Sequence, residues 1–179
     1  MSATQILIAG FGGQGIMFAG QLLAYAGMLE DRCVSWIPSY GPEMRGGTAN
    51  CSVVVSGREI SCPMVSTPTI LLALNMPSLE KFEPTVVSGG IIIYNSSLAS
   101  RPPARNDVEV VAVPANQIAE ELGNSRITNM VILGALIQNT AMVNMESVFT
   151  ALEKVLPEHR HHLIGVRHWR PERNTANKP

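Results

Sequence analysis

This 179-residue chain is short of charge. Only 15% of its residues are charged, and 13 basic against 14 acidic side chains leave a formal net charge of −1, whereas a soluble monomer carries roughly a quarter charged residues. A near-neutral balance gives no electrostatic footprint for nucleic acid or for a membrane surface. The shortage itself implies that part of the surface is covered by other polypeptides, so an obligate subunit is expected. Cysteine is scarce too: Cys33, Cys51 and Cys62 are far apart and odd in number. The absence of any C-x-x-C excludes a zinc or iron–sulfur ligand set of usual spacing. Two of the three lie in apolar strand patterns, and buried, reduced thiols of a cytoplasmic protein are expected. No apolar run reaches the ~18 residues of a spanning helix. Nor does a charged segment, apolar stretch and cleavage site open the chain, so a cytosolic location is expected. G-x-S-x-G is missing. His159, His161, His162 and His168 have no acidic ligand at metal-site spacing, so metal binding is not expected.

Glycine, by contrast, is concentrated where chemistry can use it. Gly10-Phe11-Gly12-Gly13-Gln14-Gly15 follows Gln5-Ile6-Leu7-Ile8-Ala9, which reads as a short buried strand of a parallel sheet. It precedes the stretch Ile16 to Met28, apolar nearly all round and read as a buried helix. In a strand–turn–helix context, G-x-G-x-x-G offers free N–H groups at a helix start to a phosphate or carboxylate. The same glycines also permit tight strand-to-helix packing, and both readings stand at this point. A dinucleotide site further requires an acidic residue at the end of the second strand. That strand is Arg32 to Ile37 and ends in Pro38-Ser39-Tyr40, while Glu30 and Asp31 lie at its wrong end. An NAD site of the usual kind is therefore disfavoured.

The second conspicuous stretch is Gly41-Pro42-Glu43-Met44-Arg45-Gly46-Gly47. Loops at the carboxyl ends of strands in a doubly wound sheet gather along one edge, which places this loop beside the Gly10 to Gly15 turn. The alternative is a solvated loop whose Glu43 and Arg45 pair weakly. Thr48 to Val55 and Glu59 to Cys62 flank Ser56-Gly57-Arg58 and read as an antiparallel hairpin. Further strands are expected at Pro68 to Leu74, Ile91 to Tyr94 and Val108 to Val113. Helices are expected from Asn75 through Phe82, from a cap at Asn116 through Glu121, from Thr128 to Ile137 and from Asn144 to Leu156. Arg101 to Asn106 reads as a surface loop. The expected fold is α/β: a single Rossmann-like layered domain over residues 1–173, with a mixed sheet, an antiparallel hairpin insertion and a helical C-terminus. Residues 174–179 are expected to form a flexible tail.

Ile8 to Gly15 together with Pro38 to Thr48 closely resembles the gamma subunit of 2-oxoacid:ferredoxin oxidoreductases, and the resemblance continues through Leu74-Asn75 to the stretch Asn129 to Ala135. It implies a subunit of a heteromeric enzyme that oxidatively decarboxylates a 2-oxoacid to an acyl-CoA and passes electrons to ferredoxin. The wording of the second motif is more similar to the 2-oxoglutarate and branched-chain enzymes than to the indolepyruvate ones. Thiamine diphosphate and iron–sulfur clusters would reside on partner subunits of alpha, beta and delta type, with ferredoxin an indirect partner. No cofactor would be held by this chain alone, although CoA is a candidate ligand. Gly10, Gly12, Gly13, Gln14 and Gly15, with Gly41, Glu43, Arg45, Gly46 and Gly47, would face CoA or the partners, and no residue would be catalytic. The isolated chain is expected to be inactive, and whether it forms a homo-oligomer stays open at this stage. Two other functions remain at this stage: a free-standing nucleotide-binding oxidoreductase, and a purely structural assembly subunit.

Overall fold

The computed structural model describes residues 3–40 and 48–156. The N-terminal strand β1 (Thr4–Phe11) runs into α1 (Ile16–Leu29), and the strands β2 (Cys33–Tyr40) and β3 (Thr48–Ser56) follow. Then come β4 (Ile70–Ala73), α2 (Met76–Phe82), β5 (Ile91–Asn95) and β6 (Glu109–Val113), and α3 (Ala115–Glu121), α4 (Thr128–Thr140) and α5 (Met145–Val155) close the described chain. The six strands form one mixed sheet in the order β2-β3-β1-β4-β5-β6.

The sheet is parallel from β1 through β4, β5 and β6 and antiparallel from β2 through β3 to β1. So β1 belongs to a parallel sheet on one flank only. The expected hairpin exists, but with a different partner: β3 pairs with β2 along one edge and with β1 along the other. Both edges of β3 are thus occupied, and Glu59 to Cys62 carries no strand and is largely exposed. Pro38 is tolerated because β2 lies at the rim of the sheet.

Strand alternation divides the core. Ile6, Ile8, Cys51, Val53, Val55, Ile70, Leu72 and Ile93 point to one face, where α1, α4 and α5 bury them. Leu7, Leu71, Ala73, Ile92 and Tyr94 point to the other, against Leu79 of α2 and Val86. From Thr128 to Ile137 α4 has no exposed residue, as its all-round apolar sequence requires. By contrast α1 is only partly enclosed, with Tyr25, Met28 and Leu29 exposed near its end. Glu30 accepts a hydrogen bond from the Asn144 backbone N–H at 2.5 Å and so joins the end of α1 to the start of α5.

Among the thiols only Cys51 is buried; Cys33, at the start of the rim strand β2, and Cys62 are exposed, contrary to the buried pair expected. The segment after β5 is tied down by charge. Glu83, itself buried, accepts from Arg101 at 3.4 Å and from the Ala104 backbone N–H. Arg105 pairs with Asp107 at 2.6 Å and holds that carboxyl far below the usual carboxylate range. Among the described residues no helix is long and apolar enough to cross a membrane.

Candidate functional site

The chain passes from β1 to one side of the sheet and from β4 to the other, so the carboxyl ends of these neighbouring strands flank a topological switch point, where open α/β sheets take their ligands. The glycine turn occupies this position. Gly10 ends the buried part of β1; a Cβ there would lie 2.6 Å from Gln14 Oε1 and 2.7 Å from Ile16 Cδ1. Gly12 and Gly13 are exposed. Gly13 at φ 96° and Gly15 at φ 73° occupy the left-handed region that side chains resist, and Gly15 caps α1 without any side-chain hydrogen bond. The first N–H groups of α1 therefore open on a turn lined by backbone.

The polar side chains beside the turn are neutral amides, of which sequence reasoning singled out Gln14 alone. Gln14 Oε1 accepts from the Phe11 N–H at 2.6 Å and from Asn75 Nδ2 at 3.0 Å. This pair bridges the carboxyl ends of β1 and β4. Asn75 also caps α2 through the Ser78 N–H at 2.9 Å, as expected for the residue opening that helix. One strand further along, Asn95 Nδ2 donates to Leu74 O at 3.3 Å and to Asn116 Oδ1 at 2.7 Å, while its Oδ1 accepts from the Ala115 N–H at 3.2 Å. Asn116 is thus not the cap of α3. Pro114 stands at that position, and the first N–H of the helix is satisfied from β5 instead. Asn129, near the start of α4, donates to Gly15 O at 3.1 Å. The legible signal was an asparagine just beyond β4 and another at the end of β5, each where a strand hands over to the next segment.

Of the ten residues expected at the site, the described structure places Gly10, Gly12, Gly13, Gln14 and Gly15 together in this turn. Gly41, Glu43, Arg45, Gly46 and Gly47 lie outside the described residues, as do the four histidines. Their flanks are described: Thr48 pairs with Phe11, and Tyr40 pairs with Ala49. The chain therefore re-enters the sheet at Thr48 beside Phe11, having left it at Tyr40 one strand further out.

Two further features bear on chemistry. In the Rossmann order the second strand lies next to the first; here β3 separates them, and β2 ends in Ser39 and Tyr40 without a carboxylate. Among the described residues, neither the acid nor the neighbourhood of a ribose-binding strand is present. The amides hold no acid or base either, so the arrangement suits hydrogen bonding to an anion or a carbonyl and not proton transfer. Among the described residues no three His, Cys, Asp or Glu side chains gather as a metal-binding group, and the three thiols do not converge. The donor set does not fit an iron–sulfur cluster.

Residues 5–165 match the family model described as pyruvate ferredoxin/flavodoxin oxidoreductase. The chain belongs to that oxidoreductase family. It is 47% identical over 133 residues to ketoisovalerate oxidoreductase subunit VorA of Methanothermobacter thermautotrophicus, an alignment covering 74% of this chain and 28% of that relative. It is 36% identical over 157 residues to 2-oxoglutarate synthase subunit KorC of Methanocaldococcus jannaschii, covering 86% of this chain and 84% of that protein. The chain thus spans little more than a quarter of the VorA relative and most of the KorC one. The crystal structure of the keto/oxoacid ferredoxin oxidoreductase gamma subunit from Geobacter sulfurreducens superposes with a TM-score of 0.81 at 28% identity, over 92% of this chain and 91% of that one. The oxidoreductase fold with its mixed six-stranded sheet is therefore common to both chains.

Proposed function

We propose that this chain is the gamma-type subunit of a thiamine-diphosphate-dependent 2-oxoacid:ferredoxin oxidoreductase, which converts a 2-oxoacid and CoA to an acyl-CoA. It is inactive alone, works in the cytosol with alpha, beta and delta-type partners, and presents its glycine edge to the catalytic core and to CoA. Ferredoxin receives the electrons from other subunits. The observation that carries this reading is the match of residues 5–165 to the oxidoreductase family model, and the pairing of Phe11 with Thr48, the first described residue after position 47, agrees with a shared edge. The names of the relatives support the 2-oxoacid class, and the alignment with 84% of a KorC relative supports a subunit of that kind.

Thiamine diphosphate supplies the carbanion chemistry of such decarboxylations when bound, and here it belongs to the partners. This chain contributes recognition. The exposed glycines let backbone approach an anion closely, Gln14 supplies a polar side chain, and Arg45 supplies a guanidinium able to make two parallel hydrogen bonds to a phosphate or carboxylate. Glu43 would serve to orient Arg45 and not as a base.

The test is Arg45→Ala in the assembled complex. A rise in KM for CoA, or a loss of about 2 to 5 kcal/mol in assembly if the pair is buried, supports the reading. Unchanged kinetics and unchanged assembly remove the role. Calorimetry with CoA and with NADH separates this reading from a free-standing nucleotide-dependent enzyme.

A further inference from the structure

The Gln14 carboxamide is oriented by its surroundings. Its Oε1 accepts from two donors, the Phe11 N–H at 2.6 Å and Asn75 Nδ2 at 3.0 Å. Neither donor can accept in return, so the oxygen must face inward and the NH2 group must be the outer end. Asn75 is not free to turn over, because its own Oδ1 is held by the Ser78 N–H and the residue is buried. Among the described residues Gln14 Nε2 has no partner, and the side chain is only part-buried beside the exposed Gly12 and Gly13. Two N–H donors on a fixed, braced amide thus sit at the switch point of the sheet.

From this geometry we infer that Gln14 is a recognition residue whose Nε2 donates to an acceptor oxygen on whatever docks at the turn, and that it rejects a docking group presenting a donor there. The inference rests on the proposed gamma-subunit reading and adds the polarity of the contact. The acceptor is an oxygen of CoA, phosphate or carbonyl, or an oxygen of a partner subunit; the chemistry is the same, and the experiment separates the two.

Gln14→Glu is the informative variant. One carboxylate oxygen keeps accepting from Phe11 and Asn75, and more strongly because it is charged. The other replaces the two donors by a negatively charged acceptor. Gln14→Ala removes both ends. In the assembled complex, Q14E is expected to raise KM for CoA about 10- to 100-fold if the acceptor is on CoA, or to weaken assembly by a similar factor if it is on a partner. The Tm of the full chain stays at the wild-type value for Q14E and falls for Q14A. If Q14E leaves both KM and assembly unchanged while Arg45→Ala alters either, Gln14 only braces the turn and the inference is overturned, with the gamma-subunit reading intact. If Q14E lowers the Tm as far as Q14A does, the donors serve this chain's own fold and the inference is likewise overturned. If Q14E and Arg45→Ala are both silent, the inference is overturned and the role proposed for Arg45 falls with it.

Discussion

At Gly15 backbone conformation and packing make the same demand. Its φ of 73° is costly for a side chain, and a Cβ would strike Asn129, whose Cγ stands 2.9 Å from that point. Gly13 makes only the first demand, since a Cβ there meets nothing within 4 Å at φ 96°. Left-handed backbone costs roughly 1–2 kcal/mol, and displacing Asn129 from Gly15 O loses a hydrogen bond of about 1 kcal/mol or more. In urea unfolding, Gly13→Ala should lose only the strain, and Gly15→Ala should lose at least about 1 kcal/mol beyond it. Equal losses would show that Asn129 yields freely. The glycines were legible from residue type, because only backbone without a Cβ fits such a turn. Of the amides only Gln14 was legible: Asn75, Asn95 and Asn129 are far apart in sequence, and asparagine near a strand end reads first as a turn or cap residue.

Between elements, α1 comes close to the β2–β3 hairpin. A Cβ on Gly20 would stand 2.5 Å from Cys51 Sγ and 2.9 Å from Trp36 Nε1. That indole nitrogen is buried without a nitrogen or oxygen partner. Burial pushes the Cys51 thiol up to about 12 from 9.0, with the indole of Trp36 and the backbone at Gly20 pulling the other way. Below pH 9 the thiol is protonated in folded and unfolded chains alike and gives no pH dependence. Above it the unfolded chain ionises while the native one resists, so stability drains away as pH rises from about 9 to about 12. Unfolding followed across that window should show a steeper alkaline loss for the native chain than for Cys51→Ala; identical slopes would contradict the burial argument. Most elements were legible from their apolar patterns. The partner of β3 was not, because a strand's neighbours are set by which edges remain open. Glu59 to Cys62 found none.

At the scale of the whole molecule, the low charge of the sequence meets the exposed Tyr25, Met28 and Leu29 at the end of α1. These residues lie i, i+3 and i+4 apart, hence on one side of the helix. Contiguous exposed apolar surface marks contact with another protein. Sedimentation of the isolated chain at micromolar concentration should therefore reveal self-association, and co-expression with the partner subunits should abolish it. A monodisperse, stable monomer would argue against an obligate subunit. The strand order was only partly legible, since nothing in residue periodicity announces that β3 returns between β1 and β2. That return has a use for protein engineering. Tyr40 opposite Ala49 and Phe11 opposite Thr48 clamp both feet of the intervening segment onto paired strands. Replacement segments of different length grafted between these anchors are expected to leave the strand register unshifted, which makes this mouth a place to exchange segments between related chains.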